Sequence, residues 1–426
     1  MGRTTLLFLL LSLTPAAAGT YHEALAAGTS REDLERDGVM HGALDPDPDP
    51  GCTRLSGVGG AVHDASSFMV AAYLPEWRYE GANWATICAT VTHLILFSIE
   101  VAPSGAVAAL DRLPRPELMR EARAAATASG TKLLLCIGGN GRSAGFSPMV
   151  ASKAKRARFI AALLALCEEH GLDGVDYNWE YPGYAFGRGY LSEDEVRADY
   201  EGLHRLLEET HAAFAQSGRV ITMAYYPDGR QERLLMAGGA PQWVAAMHMM
   251  SYDQGARHST WEFAERVARQ GAELLPAAKV THGLPFYGRH VRTGEWKSWE
   301  DLVQKHMPAA GVDEAGGYYF NSARLIARKT TLARSLGLAG VMIWEVGQDC
   351  RLEPVTHGDT THVRTCPGEG DGSSLLAAVQ RAVAEFAPLT RPAGDVRQYD
   401  SSALPDGGGG EGVYPDQVRV PGHDEL

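Results

Sequence analysis

Leu172–Pro182 reads LDGVDYNWEYP, a short apolar run into which Asp173, Asp176, Asn178 and Glu180 are set. Side chains on a strand alternate between two faces. Asp176, Asn178 and Glu180, spaced by two, therefore share one face, and Val175, Tyr177 and Trp179 share the other. A buried carboxylate is costly unless it is paired or protonated, and no cation lies near this row in the sequence. The polar row asks for an open mouth at the end of its strand, with the apolar row turned into a layer of helices.

The flanking sequence supplies that setting. Apolar runs recur along the chain as FMVAAYLP, VTHLILFSIEV, KLLLCIGG, DGVDYNWE, VITMAYYP, VAAMHMMSYD, KVTHGLPFYG and AGVMIWEVG. Amphipathic stretches such as SKAKRARFIAALLALCEEHG and EDEVRADYEGLHRLLEETHAAFAQSG separate most of them, the first ending at Gly171 and the second at Gly218. Alternating strands and helices with near-continuous apolar strands predict a parallel sheet covered by helices. An open doubly wound sheet would carry a glycine-rich nucleotide fingerprint after its first strand, and none is present. The expected fold is α/β, a (β/α)8 TIM barrel, whose active site gathers at the C-terminal strand ends. Those ends carry residues out of place in a core: Glu76, Glu180, Asp253, Tyr287 and Glu345.

Neighbouring carboxylates push each other's pKa apart, so that one stays ionised while the other holds a proton near neutrality. Glu180, nearest the mouth, is the candidate general acid, with Asp176 behind it holding or sharing the proton. No histidine shares their face and an amide is a weak ligand, so no metal is expected.

Several stretches, in order over about residues 67–388, resemble glycoside hydrolase family 18, the chitinases and their relatives. LDGVDYNWEYP is similar to that family's Asp-x-x-Asp-x-Asp-x-Glu on the fourth strand, and LCIGG to its Ser-x-Gly-Gly on the third, with Cys136 in place of serine. MSYD (Met250–Asp253) resembles the sixth-strand Met-x-Tyr-Asp, and GLPFYGR and GVMIWE resemble the seventh and eighth strands. The resemblance implies endo-cleavage of β-1,4-linked N-acetylglucosamine with retention, by substrate assistance and without a carboxylate nucleophile. In it Glu180 protonates the leaving oxygen, the substrate's acetamido carbonyl attacks the anomeric carbon, and Glu180 then acts as base for water. The same resemblance implies that Tyr252 donates to the acetamido oxygen, Asp253 binds the sugar and Trp344 forms the floor beneath its ring. It further implies sugar contacts from Tyr73, Phe97 and Met250, and structural support from Asp173, Cys136, Gly138 and Gly139. No cofactor is implied.

Asn178 departs from the pattern, where an acid stands. Its carbonyl can accept an acetamide N–H, yet it brings no charge to balance the cationic intermediate, a loss of about 2–4 kcal/mol in a dry site. It also removes a repulsive neighbour from Asp176 and Glu180, lessening the upward push on the acid. Two readings follow: a glycosidase adapted to an amide, or a lectin-like barrel that binds N-acetylglucosamine chains uncut. A binding protein has no need of Glu180, which favours the enzyme. Only about thirty residues, RHVRTGEWKSWEDLVQKHMPAAGVDEAGG, follow the seventh strand, too few for the sizeable α+β domain some chitinases insert there, so a shallower cleft is expected. Trp296 and Trp299 within that segment read equally as sugar platforms or as its own small core.

The remainder bounds location and partners. Residues 1–18 have the layout of a signal peptide, with Arg3 before the Leu6–Leu13 run and Ala16–Ala18 after it. Residues 19–66, with DPDPDPG, read as a flexible lead-in, 67–390 as the barrel, and 391–426 as a flexible tail ending in HDEL (His423–Leu426), an address read by a retention receptor. The protein is expected in the endoplasmic reticulum lumen, as a monomer without a membrane span. There chitobiose cores of N-glycans join chitin as candidate substrates, an endo-β-N-acetylglucosaminidase activity. A net charge of −13 argues against nucleic acid and anionic membrane. Among the six cysteines, Cys136 and Cys167 lie in apolar runs and read as buried thiols. Cys350 with Cys366 reads as a disulfide, and Cys52 with Cys88 as a weaker pairing. No Asn-x-Ser/Thr acceptor occurs.

Overall fold

The computed structural model describes residues 68–386, apart from Gly187 and Gly358. The leader, lead-in, tail, HDEL terminus and Cys52 lie outside the described residues. The eight apolar runs form β1 (Met69–Pro75), β2 (His93–Val101), β3 (Lys132–Gly138), β4 (Gly174–Asn178), β5 (Val220–Tyr225), β6 (Ala246–Met249), β7 (Val280–Pro285) and β8 (Gly340–Trp344). Each pairs in parallel with the next, and β1 pairs with both β2 and β8, so the sheet closes on itself. Closure decides against the open sheet.

Each strand feeds a helix: α1 (Trp84–Thr90), α2 (Pro116–Ser129), α3 (Lys153–His170), α4 (Glu193–Phe214), α5 (Arg230–Ala237), α6 (Trp261–Leu274), α7 (Ala323–Ser335) and α8 (Leu375–Ala384). Local chemistry sets their ends. Gly171 closes α3 at φ +63°, and α4 opens on a capping box in which Ser192 and Glu195 satisfy each other's backbone N–H groups. Val175, Tyr177 and Trp179 pack into the sheet–helix layer. The barrel interior is a second cluster that includes Ala71, Tyr73, Phe97, Cys136, Tyr252 and Met342. The expected alternation of faces holds.

The segment after β7 is a small four-stranded antiparallel sheet (Tyr287–His290, Trp296–Ser298, Glu314–Ala315, Tyr318–Tyr319) with one helix, Trp299–His306. Trp299 is buried in it, its Nε1 donating to the Ser373 carbonyl at 2.8 Å, and Trp296 packs toward Tyr287 with ring centroids 6.3 Å apart. Both tryptophans serve the segment's own core, and neither lines the mouth. Cys350 and Cys366 form the expected disulfide, while Cys88, Cys136 and Cys167 are buried free thiols. Of the Cys52–Cys88 pairing only Cys88 is described, and it is a buried residue of α1 with a free thiol. No helix among the described residues is long and apolar enough to cross a membrane.

Candidate active site

A cavity of about 400 Å³ opens at the C-terminal ends of the strands. Asp176 and Asn178 are the inward residues of β4, and Glu180 lies just past its end, lining the cavity with Asn178. Asp176 is fully buried beneath them. Tyr73 Oη donates to its Oδ2 at 2.8 Å and Thr222 Oγ1 to its Oδ1 at 2.7 Å, with the Cys136 thiol as a further partner. Burial raises its pKa and these donors oppose the rise. The expected proton-sharing between Asp176 and Glu180 is not what the mouth contains. Both Asp176 oxygens are taken by hydroxyls, and Asn178 is the group that touches the acid, its Nδ2 donating to Glu180 Oε1 at 3.1 Å.

Glu180 is pushed up to about 7, first by burial and further by the Asp253 charge, against the pull of its hydrogen bond from Asn178. The expected source of the push, like-charge repulsion from Asp176, is thus replaced by desolvation. Backbone position is fixed as well: Glu180 N donates to Ser143 Oγ at 3.0 Å. The other atom of the amide, Asn178 Oδ1, is buried and has no hydrogen-bond partner among the described residues. A buried acceptor left open at a cavity wall is costly unless a ligand satisfies it.

The other predicted residues assemble around this pair. Tyr73, Phe97, Met250, Tyr252, Asp253 and Trp344 all line the cavity. The Trp344 ring packs at the cavity wall, 4.7 Å from Phe97 and 5.4 Å from Tyr73. Among the described residues the Tyr252 hydroxyl meets a weak acceptor, Met342 Sδ at 3.6 Å. Asp253 adopts φ +64° and is held by Tyr287 Oη at 2.5 Å and Arg289 Nη2 at 2.9 Å. Gly138 (φ +98°) and Gly139 (φ +108°) support the mouth by close approach. A Cβ would lie 2.4 Å from the Asn178 carbonyl at the first and 2.4 Å from the Phe97 ring at the second. Asp173 sits at the opposite end of β4, accepting from Leu133 N at 2.8 Å and Arg123 at 2.7 Å, so it stabilises the barrel's foot.

Two strand-end carboxylates singled out by placement belong to ion pairs. Glu76 pairs with Arg142 at 2.7 Å, and buried Glu345 with Arg78 at 3.2 Å while it accepts from Gly347 N. Several functional neighbours escaped the sequence reading. Arg142 lies over the Phe97 ring at 5.1 Å, and Asn140, Tyr181, Tyr226 and Gln254 line the cavity. Tyr226 follows β5 directly, so the end of VITMAYYP was the signal for it. Among the described residues no cluster of His, Cys, Asp and Glu has the makings of a metal site.

A closed (β/α)8 barrel with an acid held near neutrality, an open amide acceptor and aromatic rings lining its mouth has the architecture of a carbohydrate-cleaving barrel. The family model described as glycosyl hydrolases family 18 matches residues 69–349, and the chain belongs to that family. Probable chitinase 2 of Drosophila melanogaster is 26% identical over 312 residues, 55% of this chain and 61% of that protein. Chitinase 1 of Aphanocladium album is 24% identical over 372 residues, 69% of this chain and 84% of that protein. The chain thus spans less than two thirds of the first relative's length. Among solved structures, catalytic domain 2 of the Group II chitinase of Ostrinia furnacalis superposes with a TM-score of 0.60 at 17% identity, covering 76% of this chain and 98% of that one. A mutant of that domain in complex with penta-N-acetylchitooctaose gives a TM-score of 0.58. These structural likenesses are of fold.

Proposed function

We propose that this protein hydrolyses β-1,4 bonds between N-acetylglucosamine units within a chain, with retention, using Glu180 as general acid and then base. One observation carries the reading: Glu180, held near a neutral pKa, is hydrogen-bonded by an amide whose own carbonyl faces no donor among the described residues. That carbonyl suits an acetamide N–H. With the sugar on Trp344, Asn178 Oδ1 accepts that N–H and Tyr252 Oη donates to the acetamido oxygen. The oxygen then attacks the anomeric carbon as the glycosidic bond breaks, and the departing oxygen takes the Glu180 proton. Water next attacks the same carbon from the vacated side, giving up a proton to Glu180, and the acetamide is restored. The chitinase names of the relatives support the substrate class, as does the N-acetylglucosamine chain bound by the Ostrinia domain. The leader and HDEL terminus support residence in the endoplasmic reticulum lumen, where N-glycan cores offer the same β-1,4 bond.

The acid must enter the reaction protonated. With Glu180 at about 7, kcat/KM on a fluorogenic chitotrioside falls as pH rises through that value. Replacing Asn178 by Asp removes a donor that favours the ionised acid and adds a second carboxyl beside it. Both changes favour the protonated form, so Asn178→Asp moves the alkaline limb upward by about one pH unit or more. An unmoved or lowered limb, read from rates between about pH 4 and about pH 9, counts against the amide–acid contact. No turnover by wild type, with tight binding of chitotriose, would instead favour the lectin reading.

A further inference from the structure

Tyr252 and Asp253 reach the cavity from the loop between β6 and α6, residues 250–260, which also supplies Met250 and Gln254. The Tyr252 hydroxyl has a weak partner in the Met342 sulfur, so its aim depends on the loop's backbone and on the packing of its ring. That ring lies close against Gly283 of β7, where a Cβ would come within 2.9 Å of Tyr252 Cε1 and of Ser251 N.

The loop is closed from behind. Ser251 Oγ donates to the Gly283 carbonyl at 2.9 Å, and Ser259 Oγ donates to the Ser251 carbonyl at 3.3 Å, tying the two ends of the loop together. Lys329 of α7, wholly buried, holds that tie. Its Nζ donates to the Ser259 carbonyl and to Ser259 Oγ, each at 2.8 Å, and to Asn321 Oδ1 at 2.7 Å. Asn321 Nδ2 donates in turn to the Ser259 carbonyl at 2.9 Å. The three ammonium protons thus meet three neutral acceptors. Burial pushes this ammonium down to about 7, against the pull of the Asp313 and Glu262 charges.

A buried cation held by neutral acceptors is a poor source of stability, since an apolar side chain of similar size often serves as well. Its three bonds do fix a geometry. By donating to Ser259 Oγ, Lys329 leaves that hydroxyl's own proton for the Ser251 carbonyl, and such chained bonds strengthen one another. The Ser251 carbonyl belongs to the peptide group that also contains the Tyr252 nitrogen, so the chain grips the backbone at Tyr252 itself. Lys329 does not line the cavity. Resting on the functional reading above, we propose that Lys329 is a positioning residue for the reaction: through Ser259 and the Ser251 carbonyl it fixes the backbone that aims the Tyr252 hydroxyl at the substrate's acetamido oxygen.

The test is a double-mutant cycle on kcat for chitotriose. Tyr252→Phe keeps the ring and removes the hydroxyl, lowering kcat about 10²-fold. Lys329→Met removes the ammonium and lowers kcat about tenfold, as the hydroxyl drifts from its target. In the Tyr252→Phe background, Lys329→Met lowers kcat by less than about twofold, because no hydroxyl is left to aim. Ser259→Ala, which removes the link to the Ser251 carbonyl, gives a smaller loss that vanishes in the same background, and it serves where Lys329→Met folds poorly. A lysine that only filled the core would reduce the active fraction alike in both backgrounds. Equal losses in the two backgrounds, or no loss in Lys329→Met, would therefore overturn the proposal and leave the hydrolase reading intact. Failure of wild type to cleave chitotriose would remove both readings at once.

Discussion

Glu180→Gln lowers kcat on chitotriose by about 10²–10⁴-fold, the usual contribution of a positioned general acid, while KM changes little. Glutamine keeps the size of the side chain and an oxygen to accept from Asn178 Nδ2, so the cavity stays as it is and only the proton is lost. The same substitution raises stability. In the folded protein the Glu180 pKa is raised from 4.5 to about 7, chiefly by burial. Between those values the folded state holds a proton that the unfolded chain has released, so the stability associated with this carboxyl falls as pH rises through the window. Above about pH 7 the wild type carries a desolvated charge worth at most about 3 kcal/mol, which glutamine removes. Thermal unfolding at about pH 8 is thus expected at a higher midpoint for Glu180→Gln, with the gain shrinking toward pH 4.5. Lost activity with lost stability would mean that the residue holds the mouth together rather than acting in it.

Asp253→Ala has the largest effect on stability. Its carboxylate receives Arg289 Nη2 at 2.9 Å and the Tyr287 hydroxyl at 2.5 Å, and Arg289 is almost wholly buried. Removing the partner of a buried cation costs about 3–5 kcal/mol, toward the lower end here because the Asp253 side chain is 26% exposed. Alanine at φ +64° adds strain that Asp and Asn tolerate better. Asp253→Asn keeps the backbone geometry and an acceptor for Tyr287, so its loss is smaller. Urea midpoints for the three proteins should fall in the order wild type, Asn, Ala. Equal stability for Asn and Ala would mean that neither the hydrogen bond nor the backbone conformation contributes. Because Asp253 also raises Glu180, either variant shifts the alkaline limb of activity downward.

The barrel was legible because the strands are near-continuous apolar runs and five of them carry a misfit at or just past the C-terminal end: Glu76, Glu180, Asp253, Tyr287 and Glu345. Period two alone put Asp176, Asn178 and Glu180 in one row. What the row does was harder to read, since the state of Glu180 depends on what covers it. The expectation that Asp176 would share the proton failed because Tyr73 and Thr222, 103 and 46 residues away, occupy its oxygens. Glu76 and Glu345 looked out of place in a core because their partners, Arg142, 66 residues away, and Arg78, 267 residues away, are distant in the chain. Trp299 turned inward because the Ser373 carbonyl, 74 residues on, meets its indole N–H. Partners at such separations leave no local pattern.

The most direct measurement is the proton NMR spectrum of the products in the first minutes of chitohexaose hydrolysis by wild type, before the new reducing ends equilibrate. Attack by the acetamido oxygen followed by water places both displacements on one carbon, so the account predicts that the new reducing ends appear as the β-anomer. New ends appearing as the α-anomer would contradict it, because one direct displacement by water would then be the chemistry, and Asn178 would have no acetamide to hold.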